Sequence, residues 1–310
     1  MSGDPTPVRG RREAVQVSVP GNLLLLGEYA VLEEGGLGLA LAPDTRARAV
    51  FVPSDAGRAC TISGRLRSET MSWPGNAGLL GRVADSMLEA FGPFEGHIDL
   101  DTGALYDGDG RKRGLGSSAA MTVALVALWP VAAGYDPLPE ERLVDIATRA
   151  HRDAQEGRGS GYDIATSALG GCVLFTGGEC PRSERVELPW LPPIATVPGP
   201  VPVSTTAAVA AYARWKRESP SRTGCSVERS NRLVRRFVSA GSWDEARAVI
   251  DEYRELGERL GEAIGVPASM RPPAGALTYK AVGAGNELGV VMPAEPGTAI
   301  PIAAEGLRWE

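Results

Sequence analysis

The chain has 310 residues, 43% of them hydrophobic and 23% charged, with a formal net charge of −6 and an isoelectric point near 5.3. That length exceeds a usual single domain and can bury a core of one large or two ordinary domains, while the acidic balance argues against nucleic acid as a partner. Four cysteines (Cys60, Cys172, Cys180, Cys225) form no CxxC and have only His97 and His151 to join them, which argues against structural zinc. With no signal peptide and no apolar run of membrane-spanning length, the expected location is the cytoplasm, without a membrane partner.

The chain opens with a basic cluster, Arg9 to Arg12, that reads as a solvated terminus. Ala14 to Val19 alternates apolar and polar residues, then meets Pro20-Gly21 and the apolar run Leu23 to Leu26, predicting two short strands around a turn. Arg46 to Val52 alternates again and predicts a strand with one wet face. From Ala77 to Phe91, apolar residues recur at three- and four-residue spacing, the mark of an amphipathic helix ended by Gly92-Pro93. Gly114 to Gly134 begins with glycines and serines and continues almost wholly apolar, as in a helix buried on most sides.

A helix is expected over Glu140 to Ala154, a Gly-rich turn over Gly157 to Gly161, a further helical start at Asp163 and a strand at Cys172 to Phe175. The proline-rich stretch Leu188 to Pro202 is the linker candidate. Helical patterns follow at Ala207 to Arg217, Val227 to Ala240 and Trp243 to Ile264, with short strands near Ala276 to Tyr279 and Gly289 to Met292. Intermixed strands and helices in both halves give an α+β class in two lobes, divided as residues 1–190 and 191–310.

The strongest chemical signal is Gly114-Leu115-Gly116-Ser117-Ser118-Ala119-Ala120 at the mouth of a long helix. Glycines let the backbone approach a polyanion, unpaired N–H groups at a helix start donate to phosphate oxygens, and the helix dipole adds a favourable field. A hydroxyl at Ser117 or Ser118 can ligate Mg²⁺. The pattern is neither GxxxxGK[ST] nor GxGxxG.

Val19-Pro20-Gly21-Asn22 through Gly27-Glu28-Tyr29-Ala30-Val31-Leu32 precedes this loop, and Lys280 with Gly283-Ala284-Gly285 follows it. In this order and spacing the three segments resemble the signature motifs of the GHMP kinases. Asp101 to Tyr106, Gly110 to Arg113, Ala150 to Gln155, Gly159 to Ala165 and Val203 to Ala207 are most similar to phosphomevalonate kinases within that class. The resemblance implies a two-lobed fold, with an N-terminal ATP-binding lobe like a ribosomal protein and a C-terminal ferredoxin-like lobe. It further implies ATP and Mg²⁺ as cofactors and a small phosphorylated acceptor, 5-phosphomevalonate, with mevalonate or another GHMP acceptor as the alternative and a non-catalytic nucleotide-binding relative behind both.

By the same resemblance, Asp163 and Lys112 are the catalytic candidates, and Gly114 to Ala120 hold the nucleotide. Gly21, Glu28, Tyr29, Ser160, Gly161, Ser204, Lys280, Gly283, Ala284 and Gly285 are the substrate-side candidates. Taken alone, Asp163 reads as an ordinary N-cap aspartate, and Lys280 equally as an exposed lysine at a strand end. The sequence departs from the family pattern at Asn22, where a lysine is usual, and at Asn286-Glu287, where further glycine and an acidic residue are usual.

Overall fold

The computed structural model describes residues 13–54, 60–66, 69–75, 78–201 and 203–310. The basic cluster at 9–12 and Ala77 lie outside the described residues. In chain order the first elements are β1 (Val15–Pro20), β2 (Leu23–Leu26), β3 (Leu37–Leu41), β4 (Arg46–Pro53), β5 (Thr61–Leu66), β6 (Glu69–Trp73), α1 (Leu79–Phe91) and β7 (Gly96–Asp101). The middle of the chain forms α2 (Ser117–Ala132), α3 (Glu140–Ala154), α4 (Tyr162–Leu169), β8 (Cys172–Thr176), β9 (Arg182–Val186) and β10 (Ala195–Pro198). Then come α5 (Thr205–Glu218), α6 (Pro220–Val238), α7 (Trp243–Ile264), β11 (Thr278–Val282), β12 (Leu288–Met292) and β13 (Arg308–Trp309).

The chain gathers into two compact units. The first takes residues up to Asn22, Ala42–Gly171 and Ala303–Glu310; the second takes Leu23–Leu41 and Cys172–Ile302. A single cut after residue 190 therefore falls inside the second unit. Strand pairing is the reason: β3 pairs with β8 along its whole length, and β13 returns to β1.

The first unit holds a six-stranded sheet, β13-β1-β4-β7-β5-β6, antiparallel except where β5 runs parallel to β7. Along β4, Ala47, Ala49 and Phe51 are buried while Arg48 is exposed, the alternation expected of a half-wet sheet. Helix α2 packs on β1 and β4 and also meets α1, α3 and α4. Surrounded in this way, it is buried at every residue except Ser118, which is why its sequence shows no polar face.

The second unit holds two antiparallel sheets, β2-β3-β8-β9 and β10-β12-β11, together with α5, α6 and α7. Leu25, Leu26, Leu39 and Leu41 share its core with Phe237, Ile250, Val290 and Met292. The strands expected on either side of Pro20-Gly21 exist but belong to different sheets. The proline-rich stretch is not a linker, because β10 pairs with β12 and Leu188 and Ile194 join the core. Helix α6 starts seven residues ahead of the predicted Val227, with Pro220 in its first turn, where a missing N–H costs nothing.

All four cysteines are free thiols. Among the described residues, no helix is long and apolar enough to cross a membrane, and no cluster of three or more His, Cys, Asp or Glu side chains could hold a metal ion.

Candidate active site

The glycine loop opens α2. Gly114 and Gly116 both take positive φ, 72° and 70°, and Gly116 is the residue from which the helix starts. A β-carbon on Gly116 would stand 2.0 Å from the Asn22 amide nitrogen, so the position is closed to side chains by space as well as by conformation. No side chain caps α2, and its first turn carries no carboxylate. Its leading N–H groups and the positive end of its dipole therefore remain available to an anion, as a phosphate cradle requires.

Around the loop the packing is close. Leu115 is buried, and its carbonyl accepts from Asn22 N–H at 3.0 Å. A β-carbon on Gly21 would lie 2.5 Å from that same carbonyl. Ser117 is buried with its hydroxyl 3.5 Å from that of Tyr106, and Ser118 is partly exposed. Lys112 is exposed in the turn before the loop, where it bridges backbone to Tyr106.

Helix α4 brings the second group of candidates to this unit. Gly161, left-handed at φ 93°, occupies the N-cap, so Asp163 is not the capping residue that its sequence alone suggests. It lies instead in the first turn, part-exposed, with one oxygen accepting from Ile164 N–H at 3.0 Å. Arg152 fixes the turn ahead of the helix by donating to the carbonyls of Gly159 and Ser160, at 3.0 and 2.5 Å. Ser160 is buried and its hydroxyl accepts from Tyr162 N–H at 3.4 Å. His151 is buried and meets Gln155 within α3, a structural contact.

The remaining candidates lie in the second unit. Lys280 is not an exposed strand-end lysine: it is 2% exposed within β11. Its ammonium donates to the Leu25 carbonyl at 2.8 Å, the Ala281 carbonyl at 2.6 Å and the Glu28 carboxylate. With three donors placed on three protein acceptors, its charge is taken up inside the unit. Burial raises the Glu28 pKa and Lys280 only partly offsets this; among the described residues the second Glu28 oxygen has no hydrogen-bond partner.

Tyr29 adopts φ 62° and ψ −36°, uncommon for a residue with a side chain. Two contacts hold it there: its hydroxyl donates to the Ala284 carbonyl, and its ring stacks on Tyr212 at 5.1 Å. Tyr29, Tyr253, Glu28, Lys280 and Gly283 line a cavity of about 50 Å³. Gly283 has φ 80°, and a β-carbon on Gly285 would approach the Pro267 carbonyl at 2.9 Å. Asn286, buried, uses its amide on the Ser269 carbonyl at 2.8 Å and needs no positive φ. Ser204 caps α5 by accepting from Ala207 N–H at 3.3 Å.

The first unit thus holds Gly21, Lys112, Gly114 to Ala120, Ser160, Gly161 and Asp163; the second brings together Glu28, Tyr29, Lys280 and Gly283 to Gly285 around one cavity. Ser167, whose hydroxyl accepts from the Asn22 amide at 3.0 Å, and Tyr253, whose hydroxyl accepts from Gly27 N–H at 2.8 Å, carry no local motif, and Asn22 registers in the sequence only as a missing charge.

Residues 78–171 match the family model described as the GHMP kinases N terminal domain. The chain is 32% identical over 192 residues to phosphomevalonate kinase of Streptomyces sp. strain CL190, covering 54% of this chain and 50% of that relative. It spans about half the length of the curated relatives it matches. In structure it resembles Streptococcus pneumoniae phosphomevalonate kinase in complex with phosphomevalonate and AMPPNP, with TM-score 0.72, 17% identity, and 89% and 91% of the two chains covered. The Lin0012 protein from Listeria innocua gives TM-score 0.79 at 20% identity, covering 96% of this chain and 99% of that one. These likenesses establish a GHMP kinase fold of the α+β class.

Proposed function

We propose that this chain, which carries a GHMP kinase N-terminal domain, is an ATP-dependent phosphomevalonate kinase that converts 5-phosphomevalonate to the diphosphate. The observation that carries the reading is the start of α2, a left-handed glycine turn with no capping side chain and no acid in its first turn. The choice of acceptor is supported by the curated relatives, which are named phosphomevalonate kinase.

An oxygen of the acceptor phosphate attacks the γ-phosphorus of ATP, the bond from that phosphorus to the β–γ bridging oxygen breaks, and ADP leaves with the electron pair. In such transfers the protein mainly positions the phosphates and neutralises their charge. The backbone of Gly114 to Ala120 binds the nucleotide phosphates, and Lys112 supplies a mobile positive charge beside the loop. The first turn of α2 fits a metal-bound polyphosphate, having hydroxyls at Ser117 and Ser118 and no carboxylate to repel it. Mg²⁺ held by those hydroxyls would offset phosphate charge.

A phosphate monoester has its second pKa near 6 and is largely dianionic at pH 7, so the attacking oxygen needs little deprotonation. Asp163 therefore acts chiefly by orienting the acceptor. On the acceptor side we also place Ser160 and Gly161; in the second unit Glu28, Tyr29 and the Gly283 turn line a cavity of their own. Lys280 serves by holding Glu28, and Ser204 by capping α5.

A coupled ADP-release assay with phosphomevalonate, mevalonate, homoserine and sugar acceptors tests this. Turnover is expected with phosphomevalonate and Mg·ATP and at most a few per cent of that rate with the others. A higher kcat/KM for mevalonate or a sugar would overturn the acceptor assignment.

A further inference from the structure

We propose that Asn22 is a positioning residue of the nucleotide site, whose side-chain amide ties the glycine loop to helix α4. The inference rests on the kinase reading above and assigns a task to a residue that the sequence presents only as a lost charge.

Asn22 is 3% exposed. Its amide nitrogen donates to the Ser167 hydroxyl at 3.0 Å and, more weakly, to the Gly116 carbonyl at 3.4 Å. A carbonyl only accepts, so the group turned toward Gly116 has to be the NH₂ end. The backbone N–H of Asn22 holds the next carbonyl back along the loop, that of Leu115, at 3.0 Å. One residue in the turn between β1 and β2 thus grips two consecutive loop carbonyls. Its side chain also fills the space that a β-carbon on Gly116 would take.

The other end of the bridge is equally fixed. Ser167 is fully buried in α4, four residues after Asp163, which places the two one helical turn apart on the same side of the helix. Asn22 therefore joins the left-handed turn that aims the α2 N–H groups to the helix that carries Asp163. A buried bridge of this kind matters through geometry. Displacing phosphate donors by a fraction of an ångström costs nucleotide affinity, and displacing them relative to Asp163 costs turnover.

The test uses the full chain, with Mg·AMPPNP titrated calorimetrically at 25 °C in the absence of acceptor, alongside kcat, both KM values and thermal melts. Asn22→Asp keeps the shape but turns an acceptor toward the Gly116 carbonyl, and Asn22→Ala removes the bridge. Both are expected to weaken AMPPNP binding and raise KM for ATP at least tenfold, with KM for the acceptor changed less than twofold. Ser167→Ala should weaken AMPPNP binding at least threefold alone and less than twofold when added to Asn22→Ala.

Folded Asn22 variants that bind AMPPNP within twofold of wild type would overturn the proposal, even with a lowered melting temperature, since that is the signature of a purely structural residue. Should the Asn22 variants not fold, Ser167→Ala decides alone, and unchanged AMPPNP affinity there rejects the bridge. A wild-type chain that binds no AMPPNP would reject the kinase reading itself and the inference with it.

Discussion

Asp163 carries the sharpest residue-scale consequence of this account. On the proposed reading this first-turn carboxylate, which accepts from Ile164 N–H, meets the acceptor and contributes in the transition state. Asp163→Asn should therefore lower kcat far more than it raises KM. Proton-transfer help is worth about 10²- to 10⁴-fold, and a dianionic acceptor puts the expected loss at the lower end. Steady-state kinetics on a folded Asp163→Asn protein check this; more than half of the wild-type kcat would remove Asp163 from the mechanism. The residue was legible as a candidate only through the family resemblance, because N-cap and first-turn aspartates look alike in a sequence. The neighbouring Gly161 takes the cap.

At the scale of elements, β11 and the turn after β2 are joined by the Glu28–Lys280 pair, with Lys280 3% and Glu28 12% exposed at the side chain. Removing one partner of a buried pair leaves an uncompensated charge and typically costs about 3–5 kcal/mol. Lys280→Met should lose stability in that range in urea unfolding at pH 7. Burial already raises the Glu28 pKa, and loss of the ammonium raises it further. A carboxyl with a raised folded-state pKa contributes stability below its unfolded value that is lost as pH rises through the folded one. The deficit of Lys280→Met relative to wild type should accordingly shrink as pH is lowered from 7 toward 5; a pH-independent deficit would show that Glu28 does not carry it.

Most helices were legible from periodicity, and the bounds of α3 and α7 match those expected. Several strands were not. In β7, Ile98 and Leu100 alternate with His97, Asp99 and Asp101, a signal that was present but short. β5 and β6 carry few apolar residues and owe their place to the parallel pairing of β5 with β7, which no local pattern encodes. Lys280 misled for a related reason. A lone lysine near a Gly-rich turn reads as exposed unless its buried carboxylate partner, 252 residues away in sequence, is known.

On the scale of the whole chain, strands and helices intermixed in both halves indicated the α+β class and the resemblance implied the GHMP kinase fold, whereas the interleaving of the two units was hidden. A proline-rich stretch looks like a boundary, but Leu188 and Ile194 bind it into the second core, and the true crossings fall after Asn22, Leu41, Gly171 and Ile302. Such crossings follow from strand pairing across more than a hundred residues and leave no compositional mark.

A phosphomevalonate kinase makes a phosphorus–oxygen–phosphorus link on its acceptor, and phosphorus-31 NMR of the chain with Mg·ATP and 5-phosphomevalonate detects that link itself. The monoester resonance should disappear while two mutually coupled diphosphate resonances of the product grow in step with ADP. An unchanged monoester signal, with ATP intact or hydrolysed to ADP and inorganic phosphate, would rule the proposed reaction out.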